Sequence, residues 1–594
     1  MSDRHKNSDT PISSIDRPVP AGVNAAAFGS DVVAEALRAT DIPFIALTPG
    51  ASFRGLHDSL VNYLGNAKPQ MLLCIHEENA VAIAHGYAKV TGKPLAVALH
   101  SNVGLMHATM AIFNAWCDRM PMLLIGATGP VDATKRRPWI DWIHTAADQG
   151  ALVRGYTKWD DQPASPAAAH EAVLRAAWIA TTAPCGPTYV NLDAGMQESK
   201  LAEPFAASES ARFMPAVADA AAPDAIEKAT ALLKSAKKPL ILCGRVSRDT
   251  SAWAERIKLA ERLGARVVTD IKIGASFPTD HPLHVGAPAF IAPTPDAQEA
   301  IKQADAILSL DWVDPAGTLR QAGAQQPKLI QVSMDHQLHN GWSLDYQGLP
   351  AVDVFLACQP DTAVPALLAA LGPGKGAIPA AQATHFKAEG DKLTVDHLAV
   401  ALRKAVGQRE TSLTHVSLSW NGASWPLRHP LDYLGSDGGG GVGGGPGIAI
   451  GAALALKGTG RLPIAVCGDG DFLMAVTAVW TAVHYKIPVL FVIANNRSFF
   501  NDELHQERVA RMRSRPVENR WVGQRISEPD IEIAAMAGAQ GAKAFGPVTK
   551  IGKLESIFKD AIAAVDAGGV AVVDVRVEPG YTAAMTAVMT RKSE

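Results

Sequence analysis

Short runs rich in valine, isoleucine and leucine alternate with helix-length amphipathic segments from about residue 44 to residue 576. Strands buried on both faces read as continuous apolar runs, and parallel neighbours need a crossover of about a dozen residues or more. The alternation therefore predicts an α/β chain of doubly wound domains with mainly parallel sheets. Strands are expected at 44–48, 72–75, 95–99 and 122–125, then at PLILCG, 266–269, 306–310 and 328–332. The last group is IAVCGD, PVLFVIAN and VAVVDVRV. A helix is expected over 31–38 with Ser30 as its N-cap, and another over ENAVAIAHGYAKVTG. An Ala/Pro/Ser-rich stretch at 201–224 and a second at 360–390 read as linkers. The 594 residues exceed one core. The chain divides into a flexible arm (1–20) and three α/β domains at 21–200, 225–358 and 391–594.

Composition excludes several classes. Hydrophobic residues are 48%, charged residues 19% and the formal net charge −3, so nothing global points to nucleic acid or an anionic membrane surface. No apolar stretch is long enough to span a bilayer, and the polar N-terminus lacks a secretory core. The six cysteines form no CxxC pair, which argues against zinc and against a disulfide framework and suits a cytoplasmic protein. No GxGxxG stands between a strand and a helix with an acid about 20 residues on, which argues against a Rossmann NAD enzyme.

The chemistry is densest in the third domain. Gly468-Asp469-Gly470 ends one apolar strand and Asn495-Asn496 ends the next. The spacing, 496 − 469 = 27 residues, is that of one βαβ unit, whose right-handed crossover returns the second strand beside the first. Both motifs then lie at the carboxyl edge where open α/β sheets bind ligands. Asp469, the Asn496 side-chain oxygen and a backbone carbonyl such as that of Ser498 form an oxygen donor set suited to magnesium and a diphosphate. Gly468 and Gly470 let the backbone approach phosphates closely. Asp471, Phe499 and Phe500 flank the same two strand ends. Upstream, eight glycines crowd 438–447, a loop costly to order without a ligand.

These motifs resemble the thiamine-diphosphate enzymes of the decarboxylase and acetolactate synthase group, whose cofactor signature runs from GDG to NN. The resemblance covers nearly the whole chain after the arm. It implies a pyrimidine-binding domain, a central domain and a diphosphate-binding domain, in that order. It also implies metal ligation by Asp469, Asn496 and Ser498, and cofactor contacts at these three residues and at Pro49, Gly50, Gly440, Gly441, Gly468, Gly470, Asp471, Phe499 and Phe500. Val442 falls where the family places the residue that bends the cofactor. Glu77, in CIHEENAVAIAHGYAKVTG, aligns with the glutamate that hydrogen-bonds N1′ of the aminopyrimidine and so activates C2; Glu78 is its neighbour and the alternative. Because Glu77 and Asp469 lie in different domains, the resemblance implies a homodimer or homotetramer with sites at subunit interfaces.

VALHSNVGLMHATMAIFNAW is similar to the active-site loop of the benzoylformate decarboxylases of this group. That places His100 and Ser101 at the substrate, with Pro49 and Gly50 in the facing loop. Ser52 stands one residue later than the family serine and reaches the site only if that loop shifts. The family's second histidine, in the central domain, is missing: Asp311, Trp312 and Asp314 lie there. Six arginines between residues 508 and 525 (Arg508, Arg511, Arg513, Arg515, Arg520 and Arg525) read either as an anion clamp or as a solvated lid. Phe499, Phe500, Asn501 and His505 are substrate contacts by position. The expected function is a magnesium-dependent 2-oxo acid decarboxylase or carboligase, in which C2 of the cofactor attacks a ketone and CO2 leaves. The alternatives are acetolactate synthase-type ligation, a 2-hydroxyacyl- or oxalyl-coenzyme A lyase, and a cofactor-binding relative without turnover. FAD, kept by some relatives in the central domain, is left open by GRVSR at 244–248 and is not favoured.

Overall fold

The computed structural model describes residues 13–23, 25–205, 210–338, 348–374, 376–380, 386–581, 585–586 and 589. Three parallel sheets carry the chain. The first holds β1 (Phe44–Leu47), β2 (Gln70–Leu73), β3 (Ala96–Leu99), β4 (Met122–Thr128), β5 (Trp159–Asp161) and β6 (Pro187–Asp193), in the order β2-β1-β3-β4-β6-β5. The second holds β7 (Pro239–Cys243), β8 (Arg266–Val268), β9 (Ala306–Leu310), β10 (Lys328–Val332) and β11 (Val354–Leu356), ordered β11-β10-β9-β7-β8. The third holds β12 (Thr411–Val416), β13 (Leu462–Gly468), β14 (Val489–Asn495), β15 (Lys543–Val548) and β16 (Val570–Arg576), ordered β12-β13-β14-β16-β15. Every residue of β4 and of β14 is buried, as strands covered by helices on both faces must be.

Parallel strands put their carboxyl ends on one edge. In the first sheet β2, β1 and β3 are neighbours, so the segments that follow them converge: Glu77, the 48–53 loop and His100-Ser101. In the third sheet Gly468 pairs with Ala494, which sets Asp469 next to the Asn495-Asn496 turn.

The first and third domains share one core, which runs from Ala46 and Val97 through Ala449 and Ile450 to Phe491 and Val572. At its centre the helix Glu77–Thr91 crosses the helix Gly445–Leu456. Glycine is required at this crossing. A Cβ on Gly451 would stand 1.8 Å from the Ile83 carbonyl oxygen, and one on Gly86 1.9 Å from that of Ile448.

Three expectations are corrected. The first helix spans Gly29–Ala39, so Ser30 lies inside it; Asp31 instead takes the N–H groups of Ala27 (2.9 Å) and Phe28 (3.0 Å). The second supposed linker begins with an α-helix, Pro360–Leu371, which packs on the helices Pro223–Ser235 and Thr250–Leu263. Proline is well tolerated at a first helical position, and it misled the reading. The arm is tethered at its end: Asp16 accepts from His484 Nε2 at 2.6 Å, while residues 1–12 lie outside the described residues.

Candidate active site

Glu77 opens its helix, with His76 as N-cap accepting the Glu78 N–H at 3.2 Å. The Glu77 side chain is buried and its two oxygens differ. Oε2 lies 3.0 Å from His107 Nδ1, and Oε1 lies over Gly104, where an added Cβ would approach it to 3.1 Å. The same Cβ would stand 3.4 Å from His100 Cβ, so Gly104 leaves the gap that Glu77 and His100 both border. Glu78 points elsewhere: its Oε1 is 3.8 Å from where a Cβ on Gly443 would be, and burial pushes its carboxyl up. The sequence reading missed His107. Ser101, Gly104 and His107 recur every three residues on the helix Ser101–Cys117, and that shared face was the available signal.

Ser52 and His100 meet directly. Ser52 Oγ is 2.9 Å from His100 Nδ1 and accepts the Ser101 N–H at 3.0 Å, so this loop brings the serine to the histidine. Gly50 permits this, since a Cβ there would collide with His100 Cβ at 2.3 Å. Pro49 is exposed at the same turn. Ser101 holds a left-handed φ of 42°, and its buried hydroxyl has no hydrogen-bond partner. Burial first, and then the neighbouring His144, hold His100 below the usual imidazole range, while Glu77 pulls it the other way.

At the third sheet Asp469 is 3% exposed. Its Oδ1 accepts the Gly470 N–H at 3.0 Å; its Oδ2 is buried without a partner, and burial pushes the carboxyl up to about 6. An orphaned buried carboxylate oxygen is costly unless a cation meets it. Asn496 Oδ1 accepts the Ser498 N–H at 2.8 Å across a turn in which Arg497 has φ 57°. The Ser498 hydroxyl donates to Glu503 at 2.5 Å. Asn495 is structural, donating to Asp574 at 2.8 Å. An all-oxygen set of Asp469, Asn496 and the Ser498 carbonyl thus fits a magnesium ion, and open space faces Gly468 and Gly440. Gly470 is covered by the Phe499 ring, and Phe500 packs on Tyr581 at 5.4 Å.

The Asp471 carboxylate turns inward. It accepts the N–H groups of Gly443 (2.8 Å) and Gly445 (3.2 Å) and faces His415 at 3.3 Å, so its side chain braces the glycine run and does not point at a ligand. At the other end Asn114 Oδ1 accepts from Gly439 (3.2 Å) and Gly441 (3.4 Å). Protein partners thus hold both ends of the run. Val442 stands exposed between the two braces.

Three of the six lid arginines are neutralised within the lid. Arg511 and Arg520 pair with Glu507, and Arg520 and Arg525 with buried Glu503. His505 is exposed and Asn501 half-buried. In the central domain Asp311 pairs with Arg245 at 3.0 Å, Trp312 donates to Thr318 at 2.8 Å, and Asp314 caps the helix Pro315–Ala322. Among the described residues, no helix is long and apolar enough to cross a membrane.

Comparison with known proteins agrees with this arrangement. Residues 28–152, 226–341 and 417–575 match, in order, the N-terminal TPP binding, central and C-terminal TPP binding domains of the thiamine pyrophosphate enzymes. Benzoylformate decarboxylase of Pseudomonas aeruginosa is 25% identical over 519 residues, covering 83% of this chain and 89% of that protein. A probable 2-ketoarginine decarboxylase of the same organism is 26% identical over 459 residues, covering 75% and 77%. The structure of a benzoylformate decarboxylase from Polynucleobacter necessarius superposes with a TM-score of 0.78 at 21% identity, covering 93% of this chain and 99% of that one, a likeness of fold. With sheets, glycine-braced loop and strand-end motifs in the same order as the three matched domains, the chain belongs to the thiamine pyrophosphate enzymes, which act on carbon–carbon bonds.

Proposed function

We propose that the protein is a magnesium-dependent 2-oxo acid decarboxylase or carboligase. The observation that carries this reading is the Ser52–His100 pair standing across Gly104 from Glu77. Asp469, Asn496 and the Ser498 carbonyl would hold the magnesium ion that accompanies the cofactor's diphosphate. When bound, thiamine diphosphate supplies an electron sink at the carbon next to the breaking bond. Glu77 donates or accepts the proton at N1′ through Oε1, the oxygen left free by His107. Gly440, Gly441 and Val442 would contact the cofactor, with Phe499 and Phe500 beside the metal turn. His100, oriented by Ser52, receives the substrate carboxylate and moves protons near neutral pH. Ser101, Pro49 and Gly50 shape the wall around it.

The Glu77 carboxylate sits against Gly104 and His107 of the first domain while Asp469 stands at the third sheet, and Val442, Met106 and Met474 are exposed. Both features support a homodimer or homotetramer in which one subunit's Glu77 serves another's metal site. The six free cysteines support a cytoplasmic location. Acetolactate synthase-type ligation would share the Glu77 and Asp469–Asn496 centres and differ in that a second carbonyl, in place of a proton, takes up the electron pair left by CO2. The pairing of Arg511, Arg520 and Arg525 within the lid disfavours a coenzyme A clamp. Retention of Glu77, Asp469 and Asn496 disfavours a binding-only role.

The test is CO2 release from a panel of pyruvate, branched and aromatic 2-oxo acids, with and without thiamine diphosphate and magnesium. Release that needs both supports the reading and ranks the substrates; no release from any acid overturns it.

A further inference from the structure

We propose that His144 is a positioning residue whose ring packs edge to face on His100 and fixes that imidazole, and the charge it can carry, for the substrate carboxylate. The inference rests on the 2-oxo acid reading above. The two imidazoles meet edge to face, with centroids 4.7 Å apart and planes at 80°. The loop after β4 is built to hold that contact. The Gly129 N–H donates to the His144 carbonyl at 3.1 Å, and a Cβ on Gly129 would lie 2.3 Å from Thr145 Oγ1, so only glycine lets the loop press against the strand end. Buried Asp141 anchors the turn by accepting from the Arg137 guanidinium (2.8 Å) and backbone N–H (2.7 Å), and its carbonyl accepts from Thr145 Oγ1 at 2.6 Å.

Ser52 engages His100 Nδ1, which leaves Nε2 as the ring nitrogen for exchange. The charged and titratable groups facing His100 are Glu77, His144 and Arg137. Half-buried and with the His144 ring against it, His100 takes a proton less readily than a free imidazole. An arriving 2-oxo carboxylate brings the negative charge that stabilises a proton on His100. As the bond between the carbonyl carbon and the carboxylate breaks, CO2 leaves neutral and the bonding electron pair stays behind. The His100 proton passes to that carbon, giving the aldehyde, and the neutral imidazole then recovers a proton from water.

The test uses the cofactor-loaded enzyme and two variants, His144→Gln and His144→Asn, the second in case the first does not fold. Histidine ring carbon NMR titration, with the His100 signal assigned by its loss in His100→Gln, reads the coupling. The His100 midpoint is expected to rise when His144 is replaced. The kcat/KM for the best 2-oxo acid is expected to fall about tenfold or more with an altered pH profile, while thiamine diphosphate affinity stays within about twofold of wild type. A midpoint that does not move, or turnover that is unchanged with cofactor bound, overturns the role of His144 while leaving the decarboxylase reading intact. A wild-type enzyme that releases no CO2 from any acid overturns that reading, and the pair's role with it.

Discussion

At the residue scale, Asp469 and Glu77 divide the work between charge that must be met and charge that must be placed. Asp469 keeps its proton up to a pH of about 6 because of burial, whereas an unfolded aspartate loses it near 4. The unmet carboxylate therefore weakens the metal-free fold progressively as pH rises from about 4 to about 6, and fully above that. Asp469→Asn is expected to raise the thermal midpoint of the metal-free protein at pH 7.5, by an amount corresponding to about 1–3 kcal/mol, and to leave it little changed at pH 4. The same variant should lose the stabilisation that magnesium and thiamine diphosphate give the wild type. A midpoint that still climbs with magnesium would remove Asp469 from the metal site. Glu77→Gln should bind cofactor normally, yet turn over about 10²–10⁴-fold more slowly. Full turnover in that variant would count against the activating role.

At the scale of elements, the glycine crossing and the lid make separate predictions. Gly451→Ala places a methyl 1.8 Å from a backbone oxygen that cannot swing away. The cost is expected to be about 1–3 kcal/mol or more, seen as a lower urea midpoint. Gly552→Ala, where nothing lies within 4 Å, should stay within about 0.5 kcal/mol of wild type and serves as the control. In the lid, Glu503 is 1% exposed and collects Arg520, Arg525 and the Ser498 hydroxyl. Glu503→Gln removes the negative charge that those cations share, so trypsin should cut faster after exposed Arg513. An unchanged digestion rate would show that the lid is held by other contacts.

At the scale of the whole molecule, the position of Glu77 sets up a complementation test. If sites form between subunits, co-expressed Glu77→Gln and Asp469→Ala chains make mixed dimers with one intact site of two. Random pairing then restores about a quarter of wild-type activity. Sites contained within one chain would restore none, whatever the mixing ratio.

The sequence by itself determined the three parallel sheets, because buried parallel strands must be continuous apolar runs joined by crossovers. It also determined the Asp469–Asn496 neighbourhood, since a 27-residue βαβ step returns one strand beside the other. Glu77 and His100 were legible for a similar reason, each following a strand of one sheet edge. What the sequence could not carry were contacts between side chains from distant segments. Asn114 and Gly439 are 325 residues apart, and no local period encodes their bond. The inward turn of Asp471, the Glu77–His107 bond and the His144–His100 contact were decided only by how helices and loops pack over the strand ends. A residue type and its spacing fix which edge a side chain reaches. The shape of the surrounding core decides which partner is within hydrogen-bonding distance once it is there.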